Sequence, residues 1–179
     1  MQKKILILLG HTDPDTYTGA LANAYQDGAT EAGHEVKRVN IGDMQFDPIL
    51  HKGYKEIQAL EPDLLELQEA FRWADHIVIA YPNWWNTMPA ILKGLFDRFW
   101  IPGFAFNFNK ETKRIDQHLS GKTARVIIVA GSNSPFKTWW NYGDYTNEIQ
   151  HGILEFAGIK TKVSAYGPCE RVSDSCRDK

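Results

Sequence analysis

The stretch HIVIAYPNWWNTMPAILKGLFDRFW, residues 76–100, contains a predicted strand, turn and helix in immediate succession. Its first part, His76–Tyr81, is apolar after the histidine, which is typical of a strand buried on both faces of a parallel sheet. Its last part predicts a helix over Pro89–Trp100, because proline is favoured in a first helical turn. Between them lie Trp84 and Trp85, which one strand or helix cannot easily direct into the same core. The pattern therefore predicts an aromatic loop at the end of a buried strand.

The rest of the chain repeats this alternation of apolar runs and helical patterns. Apolar runs predict further strands at Lys4–Leu9, Glu35–Ile41, Thr123–Ala130 and Lys160–Tyr166. Helical periodicity predicts further helices at Thr18–Ala32, Pro62–Ala74 and Tyr145–Ala157, the last ended by Gly158. We expect an irregular segment over Gly103–Lys122, a long loop over Gly131–Asp144 and a polar tail over 167–179.

Strands that alternate with helices predict an α/β fold, with one domain over residues 1–179. We expect a three-layer sandwich around a five-stranded parallel sheet with right-handed crossovers. Five strands rather than six favour the order 2-1-3-4-5, as in flavodoxin, over the dinucleotide-binding order. Ligands of such sheets bind beyond the carboxyl ends of the strands, where the order reverses. The loops at these ends are His11–Tyr17, Pro82–Met88 and Gly131–Asp144, and they include both tryptophan pairs, 84–85 and 139–140.

Composition and charge limit the binding partners and the cellular location that we expect for the protein. A net charge of −2 over 179 residues gives no overall attraction to nucleic acid or to an anionic membrane. The apolar run near the start, Ile5–Leu9, is too short for a signal-peptide core or a membrane span. Cys169 and Cys176 have no histidine nearby and no CxxC spacing. We therefore expect a cytoplasmic protein with reduced thiols, no metal site and no integral membrane segment.

Several chemistries that use this strand order lack their residues here. A response-regulator receiver domain needs an aspartate at the end of strand three, where this chain has Tyr81 and Pro82. A low-molecular-weight tyrosine phosphatase needs a cysteine in the first loop, and residues 10–19, GHTDPDTYTG, contain none. The same loop matches neither GxGxxG nor GxxxxGK[ST].

The first loop nevertheless has groups that suit a phosphate. Thr12, Thr16 and Thr18 precede or open a helix, where hydroxyls and free N–H groups bind anions with the help of the helix dipole. His11, at the end of the strand, can donate a hydrogen bond to a phosphate. The alternative is that Thr16 or Thr18 only caps the helix and that His11 is structural.

The second and third loops suit a planar ring. Indoles stack on flat aromatic faces at centroid separations of roughly 4.5–7 Å and contribute about 0.5–1.5 kcal/mol beyond area burial. Trp84 and Trp85 beside a phosphate site therefore suggest FMN or FAD, the alternative being core or dimer packing. The third loop begins with Gly131 and Ser132, whose backbone N–H groups can approach a ring edge that becomes negative on reduction.

Three stretches resemble the NAD(P)H:quinone oxidoreductase family, the DT-diaphorase-like branch of the flavodoxin-like flavoproteins. They are ILILLGHTDPDTYTGALA (5–22), YPNWWNTMPAILKGLFDRFWIPGFAF (81–106) and GKTARVIIVAGS (121–132), of which the second is the most specific. The resemblance covers essentially residues 4–166.

The resemblance implies a set of site residues. The flavin phosphate and ribityl chain would contact His11, Thr16, Tyr17 and Thr18. The isoalloxazine ring would lie along Pro82, Asn83, Trp84, Trp85 and Asn86, with Trp85 favoured for ring contact, and its edge would meet Val129, Ala130, Gly131 and Ser132. The substrate pocket, shared across a homodimer, would be lined by Ala105, Phe106 and Phe108.

The sequence also departs from the family pattern. The tyrosine and histidine that better-known members carry after strand four fall in register on Lys137 and Gly143, which leaves Tyr142 as the only candidate catalytic residue. The C-terminal extension that reaches the adenine of FAD in larger members is missing, which favours FMN. Asp97 and Arg98 lie inside a helix, and we interpret them as structural.

The implied activity is a ping-pong, two-electron hydride transfer from NADH or NADPH to a quinone, azo or nitro acceptor. Two alternative functions are also compatible with the sequence. One is a flavin-binding regulatory subunit of a potassium-efflux system. The other is a flavodoxin-type one-electron carrier, although such carriers are usually strongly acidic and this chain has a net charge of only −2.

Overall fold

The structure, a computed structural model, describes residues 1–131 and 145–168. Its strands are β1 (Lys4–Leu9), β2 (Glu35–Asn40), β3 (His76–Asn83), β4 (Phe106–Phe108), β5 (Ile115–Gln117), β6 (Thr123–Ala130) and β7 (Lys160–Tyr166). Its α-helices are α1 (Tyr17–Glu31), α2 (Pro62–Trp73) and α3 (Ala90–Phe99). Short 3-10 turns occupy Ile41–Asp43, Gly53–Lys55 and Glu155–Ala157, the last directly after a π-helical segment over Glu148–Leu154.

Five of the strands form one parallel sheet in the order β2-β1-β3-β6-β7. Counted along the chain within this sheet, the order is 2-1-3-4-5, so the predicted topology is confirmed. Alternate residues of the strands enter two hydrophobic clusters, one on each face of the sheet. Leu6 and Leu8 pack with α2 and α3, whereas Ile5 and Ile7 pack with α1. The helices therefore cover both faces, as the continuously apolar strands predicted.

Strand β3 is longer than the sequence suggested, because Pro82 and Asn83, predicted to lie in a loop, are its last residues. They pair with Val129 and Ala130 of β6, whereas the pairing of β3 with β1 already ends at Ala80. Proline has no N–H to donate and is therefore confined to positions where none is needed. Beyond Ala80, β3 has a neighbour on one side only, so the strand can continue through Pro82.

Two other predictions were wrong in detail. The segment Gly103–Lys122 is not irregular throughout, since β4 and β5 pair there as a short antiparallel hairpin. The hairpin is supported by Phe106, whose ring contacts Phe156 with a centroid distance of 5.0 Å. The helix predicted over Tyr145–Ala157 is a π-helical segment followed by a 3-10 turn, although it ends at Gly158 as expected.

The π-helical segment is explained by its buried side chains. Ile149 and Leu154 are both fully buried, and their spacing of five residues is that of the hydrogen bonds of a π-helix. In addition, the indole N–H of Trp100 donates to the carbonyl oxygen of Ile153 at 3.2 Å. An α-helical phase would rotate these contacts away from the core and from α3.

Arg98 connects α3 to the segment that precedes α2. Its side chain is fully buried and forms an ion pair with Glu61 at 2.9 Å. It also donates to the carbonyl oxygens of Ala59, at 2.7 Å, and Asp47. Burial opposes ionisation of Glu61, but backbone N–H groups and Arg98 together hold the pKa of its carboxyl below the usual value. Arg98 is thus structural, in agreement with its interpretation from the sequence.

We expect Arg98→Met to lower the free energy of unfolding by about 2–4 kcal/mol, because it leaves Glu61 and two carbonyl oxygens without their partner. Urea unfolding at neutral pH measures the change. Lys93→Met is the matched control, since Lys93 pairs with Asp97 on an exposed part of the same helix and should change stability by about 0.5 kcal/mol. Equal effects of the two substitutions would contradict the structural role of Arg98.

A second polar contact ties α1 to the sheet. His76 lies between the hydroxyl of Tyr25, 3.0 Å from Nε2, and the hydroxyl of Thr123, 2.7 Å from Nδ1. Burial, followed by the positive charges of Lys3, Arg125 and His34, lowers the pKa of His76 below its ordinary value. Protonation of His76 therefore opposes folding.

The resulting pH dependence has a defined sign. Since the pKa is lower in the folded than in the unfolded protein, the unfolded state binds the extra proton. Stability should therefore be intact above about pH 6.5, the unfolded value, and decrease as the pH falls below it. Urea unfolding at pH 7 and pH 5.5 should give a smaller pH dependence for His76→Gln than for the wild type. The control is the exposed His118→Gln, and an unchanged pH dependence in His76→Gln would disprove the assignment.

Candidate cofactor site

The first candidate loop leaves β1 in close contact with β3 and α3. The N–H of Gly10 donates to the carbonyl oxygen of Ala80 at 2.7 Å. A Cβ atom at Gly10 would lie 2.7 Å from Leu92 Cδ2 and 3.1 Å from Tyr81 Cβ, so a larger residue would require the Leu92 side chain to move. This close approach brings the loop beside the end of β3, where the second candidate loop begins.

Hydrogen bonds within the first loop determine its shape. His11 Nδ1 accepts from the N–H of Asp13 at 2.9 Å, and the Asp13 carboxylate accepts from the N–H of Asp15 at 2.8 Å. Because Nδ1 is an acceptor, the proton of the neutral imidazole lies on Nε2, which is thus a donor. Thr16 accepts from the N–H of Gly19 at 3.2 Å and caps α1, so the capping hypothesis is confirmed for Thr16.

The other helix-start residues offer different groups. Thr18 is only 2% exposed, so its hydroxyl is not open to a ligand. Tyr17 and Thr16 line an open cavity of about 420 Å³ together with Pro14, Asp15, Ala20 and Asn23. The first N–H groups of a helix have no intrahelical partner and favour anions. Asp15 also lines this cavity, so these N–H groups must outweigh its negative charge.

The second candidate loop is a tight turn with an unfavourable backbone. Trp84 and Thr87 exchange backbone hydrogen bonds of 2.9 and 3.2 Å across it. The two residues between them, Trp85 and Asn86, have φ values of +53° and +66°, as in a type I′ turn. Asparagine tolerates this region, whereas tryptophan pays about 1–2 kcal/mol. Trp85 is nevertheless 99% exposed, so packing against the described residues does not compensate for the strain.

The turn touches the first loop through Trp84. Its ring meets the His11 ring edge-on, with a centroid distance of 5.3 Å and an interplanar angle of 75°. The two loops predicted to bind one ligand are thus adjacent, and the two tryptophans face different surroundings.

Asn83, the last residue of β3, contains a buried acceptor without a donor. Among the described residues its Oδ1 atom has no hydrogen-bond partner, and leaving a buried acceptor unpaired costs about 1–3 kcal/mol. The residue pairs in register with Ala130, next to Val129 and Gly131 at the end of β6. A ligand that offers an N–H at this edge of the sheet would satisfy the Asn83 oxygen.

The predicted substrate residues separate into two groups. Phe106 and Phe108 contact each other edge-to-face at 5.2 Å and line an apolar cavity of about 620 Å³. Other walls of this cavity are Trp100, Ile153, Phe156, Tyr54 and Glu148. Ala105 instead is fully buried in the core, and its carbonyl oxygen accepts from the N–H of His118.

Sequence reasoning did not identify Glu148 as a site residue. Its carboxylate accepts from the hydroxyl of Thr87 at 2.6 Å, although 61 residues separate the two. It also faces Tyr81, whose pKa is raised by burial and then by Glu148 and Tyr145. Tyr81 therefore remains protonated and is unsuited to act as a base. No local sequence pattern signals a contact across such a distance.

Some of the residues singled out in the sequence lie outside the described residues. They are Ser132, Lys137, the pair 139–140, Tyr142, Gly143, Cys169 and Cys176. Within residues 1–131 and 145–168, no helix combines the length and the apolar character needed to cross a bilayer. The same residues contain no group of three or more potential metal ligands.

Comparison with known proteins places this geometry in a family. Residues 3–167 match a family described as having a flavodoxin-like fold. The ribosyldihydronicotinamide dehydrogenase [quinone] of Rattus norvegicus is 27% identical over 198 residues, covering 93% of this chain and 82% of the relative.

Solved structures agree with this match. An NAD(P)H:quinone oxidoreductase from Methanothermobacter marburgensis is 26% identical with a TM-score of 0.80, covering 99% of this chain and 91% of that one. A protein from Streptococcus mutans UA159 is 28% identical with a TM-score of 0.83, covering 98% and 93%. The resemblance inferred from the three motifs is confirmed, and the protein belongs to the Flavodoxin_2 family of flavodoxin-like fold proteins.

Proposed function

We propose that the protein is a flavin-dependent oxidoreductase that transfers two electrons from NADH or NADPH to a quinone, with azo and nitro compounds as related acceptors. The observation that carries the proposal is the strained and almost fully exposed Trp85 beside the unpaired Asn83 oxygen. Backbone strain of this kind persists at sites where it serves ligand binding. The quinone reductases among the similar proteins support the same reaction class.

The residues present fit a flavin mononucleotide. His11 Nε2–H and the N–H groups of Tyr17 and Thr18 would hold the phosphate at the start of α1. Asn83 Oδ1 is the acceptor available to a ring N–H, and Trp85 offers an exposed indole face for the ring. When bound, the flavin supplies the chemistry itself, since it accepts a hydride and then reduces the acceptor.

The protein's side chains would bind and orient the reactants rather than transfer protons. The apolar cavity beside Phe106 and Phe108 suits a flat aromatic acceptor such as a quinone. Tyr81, kept protonated by burial, is not a base in this scheme. The candidate role of Tyr142 in stabilising charge during hydride transfer remains part of the proposal.

The cavity also supports the proposed homodimer. Phe108 is 65% exposed and Tyr54 76% exposed at its rim, so a single chain leaves much aromatic surface open to water. A second copy that covers this rim would enclose the acceptor and complete its pocket. We place the enzyme in the cytoplasm, where its nicotinamide donor is available.

Purified protein incubated with FMN and then desalted should retain the flavin and lose its visible absorbance when titrated anaerobically with NADH or NADPH. Addition of a quinone should restore the absorbance in a two-electron step. Retained flavin that neither nucleotide reduces would contradict the reductase and favour a regulatory subunit, and a stable one-electron state would favour a carrier. Failure to retain FMN or FAD would disprove the flavin site.

Trp85 allows ligand binding and backbone strain to be separated. We expect Trp85→Gly to weaken FMN binding by about 2–10-fold, because it removes a stacking surface worth about 0.5–1.5 kcal/mol. The same substitution should keep or raise the melting temperature, since glycine adopts a positive φ without a steric penalty. Flavin fluorescence titration and thermal unfolding measure the two effects. Ile57→Gly is the control, because Ile57 is equally exposed and distant in sequence from the site, and unchanged FMN affinity in Trp85→Gly would refute the stacking role.

A further inference from the structure

One hydrogen bond crosses from the turn over Trp84–Thr87, here called the tryptophan turn, to the C-terminal part of the fold. The hydroxyl of Thr87, the last residue of the turn, donates to the carboxylate of Glu148 at 2.6 Å. Glu148 is the first residue of the π-helical segment. The bond therefore joins the loop after β3 to the element that follows the loop after β6. These are the two loops expected to contact the flavin ring.

The turn has an unfavourable backbone, so contacts at its ends help to fix its orientation. Its two central residues, Trp85 and Asn86, both have positive φ values, and the Trp85 ring extends into solvent. At its start, Trp84 is held by the edge-on contact with His11. At its end, Thr87 is exposed, and its side chain bonds to Glu148. Contacts at both ends of the turn therefore contribute to its orientation.

Glu148 is well placed to serve as the fixed end of this bond. The next residue, Ile149, is fully buried in the main core. Further along the segment, the carbonyl oxygen of Ile153 accepts from the indole of Trp100 on α3. The start of the segment therefore has a defined position relative to α3 and the sheet. In addition, Glu148 lines the apolar cavity with Phe106 and Phe108, so it borders both the turn and the acceptor pocket.

We propose that Glu148 is a positioning residue that acts through the hydroxyl of Thr87 and sets the orientation of the tryptophan turn for flavin and acceptor binding. The inference rests on the proposed flavin-dependent function and adds to it a residue that neither touches the flavin nor transfers a proton. Small displacements of a binding wall are costly because the bound geometry must be held closely.

Substitutions of Glu148 can distinguish this positioning role from a direct effect of its negative charge on the cofactor. A carboxylate near an anionic cofactor disfavours binding, so removal of the charge alone should tighten FMN binding. Loss of the hydrogen bond should instead weaken it. Glu148→Gln keeps an acceptor oxygen without the charge, whereas Glu148→Ala removes both. Thr87→Ser keeps the hydroxyl, and Thr87→Val replaces it by a methyl group of similar size.

The test is a double-mutant cycle on the dissociation constant of FMN, measured by flavin fluorescence. We expect Thr87→Val and Glu148→Ala each to raise the dissociation constant about 5–10-fold, the effect of losing one typical hydrogen bond. The double variant should be no weaker than the weaker single variant. Thr87→Ser and Glu148→Gln should stay within about twofold of the wild type. Thr30→Val, which removes an exposed hydroxyl bond within α1, is the matched control and should not change FMN binding.

A second readout follows the acceptor. With FMN at saturation, Thr87→Val should raise the KM for a quinone more than it lowers kcat, because Glu148, the partner of Thr87, lines the acceptor cavity. Thermal unfolding of the flavin-free variants should be close to that of the wild type, which separates positioning from loss of fold. Additive single effects, or unchanged FMN affinity in Thr87→Val, would overturn the inference.

The outcomes also distinguish the inference from the function on which it rests. If the wild type binds FMN and is reduced by a nicotinamide while the variants bind equally well, only the role of Glu148 is refuted. If the wild type binds FMN but neither nucleotide reduces it, the proposed function fails, and the double-mutant cycle still decides the role of Glu148. If the wild type binds no flavin, both fail.

Discussion

Strand β3 pairs with two neighbouring strands that end at different points along it, and this difference determines where the candidate site lies. On one side, β3 pairs with β1 only as far as Ala80, whereas on the other it pairs with β6 as far as Asn83. The first loop turns away over Gly10 at the point where β1 stops, which leaves room beside the protruding end of β3. A crevice at the point where the strand order reverses is the general ligand position in such sheets. The site residues of the first two loops are arranged around this protruding end.

Two local costs occur close together in the chain at the site. Trp85 has a backbone conformation that disfavours its side chain, and Asn83 buries an oxygen without a donor. Each costs on the order of 1–3 kcal/mol, which is a substantial part of the stability of a domain. Elsewhere the sheet is paired and its faces are covered, so the protein tolerates these costs. Under the proposed function, a bound flavin would remove the cost at Asn83 and use the exposed indole of Trp85.

Aromatic packing behind the site keeps α3 and the turn in place. Phe71 of α2 meets Phe99 at the end of α3 and the following residue, Trp100, at centroid distances of 5.4 and 5.5 Å, and Phe104 packs on the same group. Arg98 joins the opposite side of α3 to residues before α2. Since the turn leads directly into α3, these contacts limit its movement at one end. Glu148 belongs to the next layer of the same arrangement, because its segment packs on Trp100.

The amino-acid sequence by itself determined the number, order and type of the main strands and helices. It did so because buried parallel strands are continuously apolar and helices repeat every 3.6 residues, and both are local properties. It also identified the loops at the switch point and, through its motifs, the family. Only the tertiary structure decided that Pro82 continues a strand, that residues 148–154 form a π-helical segment, and that Thr87 meets Glu148. These features depend on which residues distant in the chain become neighbours, and the period of a local pattern contains no record of such contacts.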